Sequence, residues 1–299
     1  MKGMQIMTCS KKVLVTGATG LIGKELITPL QKEGFDVYAL TRSAKENDSN
    51  TSVHWMQVDL FDSIEIKKVC EQIKPTYLLN FAWATTEDYL TSNINFDFIK
   101  VGLDLLKYFH ENGGKRAVYV GTCFEYEFKN EPLEENDTIN PQTTYGKCKN
   151  YLHQLAKLYC ENNDISFGWG RIFYVYGRNE HKSRLTKAII DRLSKNEEII
   201  IKSGNLYKDY MYSKDIAGAF AKFLGSDVEG AVNICTAQPM SIAEYARTIA
   251  QYLGKEHLLV FKNEPSNQPP IIVGNNKRLI QEIDYQLQYN LRKGLKEIL

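Results

Sequence analysis

The chain has 299 residues, 43% hydrophobic and 24% charged, with a formal net charge of +1; that is ordinary for a globular protein of one large or two modest domains, and it excludes a global field for nucleic acid or membrane. No apolar run is long enough to cross a bilayer, and the opening MKGMQIMTCSKK lacks the apolar core of a signal peptide. The six cysteines (Cys9, Cys70, Cys123, Cys148, Cys160, Cys235) contain no C-x-x-C pair, so reduced thiols in a cytoplasm are expected, without metal or a disulfide framework.

Residues 13–17 (VLVTG) form a short apolar run ending at glycine. Residues 21–33 carry helical spacing at Leu21, Ile22, Leu26, Ile27 and Leu30, interrupted by Pro29, with Gly34 as the stop. Strand-like runs recur at 37–40 (VYAL), 53–58 (VHWMQV), 76–81 (TYLLNF) and 116–121 (RAVYVG), with helical patterns around 62–73 and 93–110. Near-continuous apolar strands alternating with helices predict an α/β chain built on a parallel, doubly wound sheet. After residue 121 comes a polar, acidic loop, then a helix over about 144–163 and a strand in ISFGWGRIF. Beyond about 174 the rhythm weakens into shorter elements, and SNQPP (266–270) reads as a loop. There is no internal repeat.

Gly17-Ala-Thr-Gly20-Leu-Ile-Gly23 lies directly between the first strand and the first helix. Gly17 can adopt a turn conformation closed to side chains, Gly20 admits close backbone approach, and Gly23 permits tight helix–strand packing. The helix N-terminus then presents free N–H groups and a positive dipole end to the phosphates of a dinucleotide. An acidic residue at the end of the second strand would bind a ribose 2′-hydroxyl, but the end reads Leu40-Thr41-Arg42-Ser43, and Asp36 lies at the other end. Arg42 can pair with a 2′-phosphate, which favours NADP(H), with NAD(H) possible.

Tyr145-Gly-Lys-Cys-Lys149 opens the helix after the acidic loop. The i, i+4 spacing puts both side chains on one face, about 6 Å apart. A neighbouring ammonium favours the phenolate and lowers the tyrosine's pKa, so Tyr145 can exchange a proton with a substrate oxygen. Thr122, at the end of the fifth strand, can offer its hydroxyl to the same oxygen.

With the glycine turn, Asp59-Leu60, Asn80-Phe-Ala-Trp83, Thr122, Tyr145, Lys149, Gly170-Arg-Ile-Phe-Tyr-Val-Tyr-Gly177 and Lys208-Asp-Tyr-Met-Tyr-Ser-Lys-Asp215 in order along the chain, the sequence resembles the NAD-dependent epimerase/dehydratase family, the extended short-chain dehydrogenases acting on nucleotide sugars. The resemblance implies a Rossmann-type dinucleotide-binding domain over 10–173 and a smaller C-terminal α/β portion over 174–299, mainly for a nucleotide-sugar substrate, with an approximate boundary. It implies cofactor contacts at Gly17, Thr19, Gly20, Leu21, Ile22, Arg42, Asp59, Leu60, Phe81, Ala82, Trp83, Tyr145, Lys149 and Phe173. Asp59 and Leu60 would frame the adenine. It also implies substrate contacts at Cys123, Arg184, Leu185, Lys208 and Arg278, with Lys208 standing where the family usually has arginine.

Dehydratases of the family resemble one another in an Asp-Glu pair just after the catalytic threonine; here those places hold Cys123 and Phe124, which cannot act as acid and base for water loss. The expected reaction is NADPH-dependent reduction of a nucleotide-activated 4-keto-deoxysugar, with Tyr145 as general acid. A nucleotide-sugar epimerase retaining NAD(P) is the alternative, and a non-catalytic dinucleotide-binding regulator is a third reading. The apolar faces around 93–110 and 144–163 suggest, by the same resemblance, a homodimer.

Overall fold

A strand buried on both faces needs apolar side chains throughout, and VLVT, VYAL and AVYV meet that demand. The computed structural model describes residues 11–43, 52–85, 88–262, 264–266 and 268–299; Cys9, Ser10 and Asn267 lie outside them. The first half runs β1 (Lys11–Thr16), α1 (Gly23–Lys32), β2 (Phe35–Thr41), β3 (Val53–Gln57), α2 (Ser63–Ile73), β4 (Tyr77–Asn80), α3 (Ile94–Glu111), β5 (Arg116–Thr122), α4 (Thr144–Glu161) and β6 (Ser166–Ile172).

The second half is made of shorter pieces: β7 (Tyr174–Tyr176), α5 (Leu185–Ser194), β8 (Ile199–Ile201), β9 (Tyr207–Lys208), β10 (Tyr210–Tyr212), α6 (Ser213–Gly225), β11 (Gly230–Ile234), β12 (Met240–Ser241), α7 (Ile242–Leu253), β13 (Leu259–Phe261), β14 (Ile271–Ile272), α8 (Lys277–Gln281) and α9 (Leu291–Ile298). The main sheet has seven parallel strands in the order β11-β6-β5-β4-β1-β2-β3. The order reverses between β1 and β4, and in such a sheet ligands sit beyond the carboxyl ends of the strands at that switch point. Thr16, Asn80 and Thr122 all lie at those ends.

Two apolar layers cover the sheet. Leu26 and Leu30 of α1 and Ala217, Phe220 and Leu224 of α6 pack on one face, while Ile66, Val69, Leu105, Phe109, Leu152 and Ala156 of α2, α3 and α4 pack on the other. Residues 213–234, past the expected boundary, thus supply α6 and β11 to the first sheet. A third cluster (Ile189, Leu193, Tyr212, Tyr245, Ile249) centres the C-terminal portion.

Three local expectations change. The helix runs through Pro29 without a break, losing one backbone donor but keeping Leu26 and Leu30 in the core. Leu21 and Ile22 precede the helix, Ile22 as its N-cap residue. The polar, acidic loop is partly drawn inward: Cys123–Glu125 form a single 3₁₀ turn, and Glu125, Tyr126 and Leu133 are buried. Among the described residues no helix is long and apolar enough to cross a membrane.

Candidate active site

Gly17 has φ +67°, and a Cβ there would lie 2.6 Å from the carbonyl carbon of Phe81 and 2.8 Å from the amide nitrogen of Ala82. A Cβ on Gly23 would fall 2.0 Å from the Gly17 carbonyl oxygen, so this glycine is required by the turn itself as well as by packing. Gly20 N–H donates to the Gly17 carbonyl at 3.0 Å. The Thr16 hydroxyl donates to Asn80 Oδ1 at 2.6 Å and accepts from Ala82 N–H at 3.0 Å. Together these contacts lay the Phe81–Trp83 segment against the turn. Thr19 and Gly20 are exposed, and no side chain caps the first turn of α1. A helix N-terminus left open beside exposed backbone fits a diphosphate, so the turn is suited to a dinucleotide.

Arg42 follows β2 and is exposed; its carbonyl accepts from Gln57, and its guanidinium has no ion-pair partner among the described residues. Asp59 is exposed and receives the Phe61 amide at 3.0 Å, while its own N–H donates to Glu65. Leu60 is half-buried against the α2–α3 layer.

Tyr145 and Lys149 lie in the first turns of α4, which Thr143 caps by accepting from Gly146 N–H at 3.0 Å. Lys149 is buried; Nζ donates to the Val120 carbonyl at 2.7 Å and stands 3.8 Å from the Trp83 ring centre and 6.0 Å from that of Tyr145. Trp83 is itself held by Asn95 Oδ1 at 2.7 Å and by stacking on Phe98. Tyr145 is ringed by Tyr89, Phe124 and Trp83 at 5.0, 6.3 and 6.1 Å between ring centres, and the Thr122 side chain lies close enough to act on its phenol. Thr122 Oγ1 accepts from Phe124 N–H at 3.3 Å.

The electrostatics differ from the expectation drawn from helix spacing. Burial dominates, and it pushes the Tyr145 phenol well above its ordinary value, with the Thr122 side chain as a weaker opposing influence. Burial likewise pushes Lys149 down to about 7, opposed by the charge of Glu125. Tyr145 therefore holds its proton at neutral pH, as a general acid must.

The buried lysine also bears on stability. The unfolded chain binds a proton at Lys149 up to its ordinary value of 10.5 and the folded chain only up to about 7, so the penalty of burying the ammonium is full below pH 7 and fades as pH rises toward the unfolded value. Lys149→Met is expected to be about 1–3 kcal/mol more stable than wild type at pH 6, with the gap closing by pH 10. Chemical denaturation at both pH values checks this, and a gap that is constant or widens would refute it.

The remaining candidates are not all gathered at one place. Cys123, directly after Thr122, is fully buried, and burial pushes its thiol up to about 12. Lys208 is buried beside it; Nζ is 5.3 Å from the Tyr174 ring centre, makes one long hydrogen bond of 3.4 Å to the Pro269 carbonyl, and is pushed down to about 8 by burial. Arg184 caps this side, donating to the Thr85 carbonyl at 2.9 Å and lying 4.8 Å from the Tyr89 ring centre. Leu185 begins α5 and packs toward the C-terminal cluster. Phe173 sits in a small core behind Cys123 with Cys235 and Leu133.

Arg278 is elsewhere. Its guanidinium is taken by Glu282 at 2.6 and 2.8 Å and by the carbonyls of Glu229 and Ala231, at the amino end of β11 and so away from the carboxyl ends of the sheet. Asp209 and Asp215 are pins: Asp209 accepts from the Thr236 and Ala237 amides at 2.9 Å, and Asp215 from those of Gln288 and Tyr289 at 2.9 Å. Residues overlooked in the sequence are Tyr89 and Tyr174, which wall the site, and Asn95, which holds Trp83. Tyr174 lay within the Gly170–Gly177 motif; Tyr89 and Asn95 had no pattern around them.

A glycine turn at a sheet's switch point, with a Thr-Tyr-Lys set beside it, defines a nicotinamide-dinucleotide enzyme of the extended short-chain dehydrogenase type. Residues 13–235 match the family described as "NAD dependent epimerase/dehydratase family", and the chain belongs to it. It is 24% identical to the dTDP-6-deoxy-L-talose 4-dehydrogenase (NAD(+)) of Aggregatibacter actinomycetemcomitans, over 84% of this chain and 92% of that protein. It is also 24% identical to the CDP-abequose synthase of Salmonella typhimurium, over 96% of this chain and 97% of that protein. Its fold matches the UDP-glucose 4-epimerase of Thermotoga maritima with a TM-score of 0.85 at 18% identity, covering 95% of this chain and 96% of that one. The NAD complex of the Thermus thermophilus UDP-glucose 4-epimerase matches with a TM-score of 0.83 at 20% identity, covering 96% and 98%.

Proposed function

We propose that the protein reduces the keto group of a nucleotide-activated 4-keto-deoxysugar, using NADPH. The observation that carries this reading is the pair of residues next after Thr122: a fully buried, protonated Cys123 and a Phe124 ring packed against Tyr145 and Tyr174. Neither offers a second acid–base pair, so the Thr122-Tyr145-Lys149 set is left with a single proton transfer, as reduction of one carbonyl requires. The walls of Tyr89, Phe124 and Tyr174 suit a sugar that carries a methyl group where others carry a hydroxyl. The 6-deoxysugar in the name of the Aggregatibacter relative supports the same class.

In this reading Tyr145 gives its proton to the carbonyl oxygen. The Thr122 hydroxyl, which accepts from the Phe124 amide, keeps its own hydrogen free to polarise that oxygen. Lys149, fixed between the Val120 carbonyl and the Trp83 face, stabilises the phenolate left behind. When bound, the reduced dinucleotide supplies the hydride. Arg42, exposed at the end of a β2 that lacks a terminal carboxylate, favours the 2′-phosphate of NADP. Arg184 and Lys208 are the cations available to the substrate's diphosphate. Among the described residues the free cysteines Cys70, Cys123, Cys148, Cys160 and Cys235 are all buried, which suits a reducing cytoplasm.

The test is nicotinamide oxidation by the purified protein with a panel of nucleotide-linked 4-keto-6-deoxysugars. Substrate-dependent oxidation, faster with NADPH than with NADH, is expected. Tightly held dinucleotide and sugar interconversion without net oxidation would replace this reading by the epimerase one, which the structural likeness to UDP-glucose 4-epimerases favours. Dinucleotide binding with no turnover of any sugar would favour a regulator. Equal or greater thermal stabilisation by NAD than by NADP would refute the Arg42 argument.

The same reading includes a homodimer. Phe96 on α3 and Tyr151, Leu155 and Leu158 at i, i+4 and i+7 on α4 leave a large apolar stripe exposed on two packed helices. Light scattering is expected to give twice the chain mass for wild type and the single mass for Leu155→Lys. A monomeric wild type removes the idea.

A further inference from the structure

Beneath the site lies a charged group to which the proposed mechanism gives no part. Glu125 is fully buried. One carboxylate oxygen accepts the Thr122 N–H at 2.8 Å, the other accepts Arg171 Nε at 2.9 Å, and Trp169 Nε1 donates to both at 3.0 Å. Arg171 continues the network to the Tyr126 hydroxyl at 2.9 Å and the Glu135 carbonyl at 3.1 Å, and Tyr126 donates to Asn233 at 2.7 Å. The chain makes room for this: a Cβ on Gly121 would lie 2.6 Å from Glu125 Oε1 and 2.1 Å from Trp169 Nε1.

A buried ion pair is a poor way merely to fill a core, because apolar residues of equal volume serve as well or better. Here the pair is directed at one backbone amide, that of the residue whose hydroxyl meets Tyr145. We propose that Glu125 is a positioning residue: its carboxylate, anchored by Arg171 and Trp169, holds Thr122 in the extended turn that aims the hydroxyl at Tyr145 and the substrate oxygen. This inference rests on the oxidoreductase reading of the same site. Thr122 has φ −149° and ψ 151°, the cap geometry of the short turn beyond it, with Glu125 closing the cap from the other side. α4 is pressed against that turn, since a Cβ on Gly146 would lie 2.3 Å from the Phe124 carbonyl oxygen. A shift of Thr122 is therefore a shift relative to Tyr145.

The carboxylate has a second reach. Lys149 is faced by Tyr145 on its own helix, by Trp83 and the Val120 carbonyl, and by the charge of Glu125. His153 stacks on Trp169 at 4.6 Å and stays neutral, pushed down to about 3 by burial. Glu125 is the negative charge that supports the ammonium.

A double-mutant cycle separates positioning from general scaffolding. With a keto sugar that wild type reduces, Glu125→Ala is expected to lower kcat by about 10-fold to 100-fold with little change in KM for NADPH, and to cost nothing further in a Thr122→Ala background. Losses that simply multiply would overturn the proposal. Because Glu125→Ala strands Arg171 in the core, the companion is Glu125→Ala with Arg171→Leu, which removes both charges; it is expected to fold and to show the same dependence on Thr122. A wild type that reduces no keto sugar refutes the proposed function and leaves Glu125 to a direct readout. The Thr122 amide resonance, followed by NMR of nitrogen-labelled threonine in Glu125→Ala with Arg171→Leu, is expected to move upfield as its bond to the carboxylate is lost. An unmoved resonance there would overturn the inference independently of turnover.

Discussion

Tyr145→Phe is expected to lower kcat for keto-sugar reduction by about a thousandfold, within the range attributed to a positioned acid, while leaving the melting temperature and the affinity for NADPH nearly unchanged. The substitution keeps the ring that packs on Tyr89, Phe124 and Trp83 and deletes only the hydroxyl. The Tyr145 side chain is buried beside Thr122, and burial keeps the hydroxyl's proton on at neutral pH. Among the described residues no other acid stands at the same point: burial pushes the Cys123 thiol up to about 12, and Lys149 is occupied by the Val120 carbonyl. Single-turnover rates under saturating NADPH and sugar provide the measurement. A variant within tenfold of wild type would mean that Tyr145 is not the acid, and the role would pass to a solvent molecule or to Thr122.

The parts of this site that were legible in the sequence are those made by local spacing. A glycine turn between an apolar strand and a helix has one main structural use, and two residues four apart on a helix must share a face. What spacing does not carry is depth. Helical neighbourhood suggests that an ammonium lowers the Tyr145 pKa, but both groups are buried, and burial outweighs their mutual influence. Glu125 stands in a run that reads only as a polar, acidic loop, yet it is fully buried, because Arg171 and Trp169 arrive from β6 to receive it. Long-range return is equally hidden. GAVNI is too short to announce that β11 rejoins the first sheet beside β6, and nothing local in Arg278 reveals that it meets the amino end of that strand. Lys208 was legible as a cation but not as a buried one, held between Cys123 and Tyr174.

Gly17→Ala should produce a large structural loss, because two independent costs meet there. The residue sits at φ +67°, where a side chain costs about 1–2 kcal/mol. Its new Cβ would lie 2.6 Å from the Phe81 carbonyl carbon, 2.7 Å from its oxygen and 2.8 Å from the Ala82 nitrogen, all backbone atoms that cannot rotate aside; overpacking of this kind costs about 1–3 kcal/mol. Relief requires the Phe81–Ala82 segment to move outward, which breaks the Ala82 N–H bond to Thr16 and displaces Trp83, the face on which Lys149 rests. The expected result is a fall in melting temperature of about 5–15 °C, with NADP affinity weakened by about tenfold or more. Gly34→Ala supplies the control. Gly34 has φ +81°, and a Cβ there would meet nothing within 4 Å, so it bears the backbone cost alone and lies outside the dinucleotide turn. Calorimetry and dinucleotide titration on both variants decide the matter: if Gly17→Ala matches Gly34→Ala in both measurements, the close approach of Phe81 is not what makes glycine necessary there, and the turn's part in holding the dinucleotide must be argued from Gly20 and the open end of α1 instead.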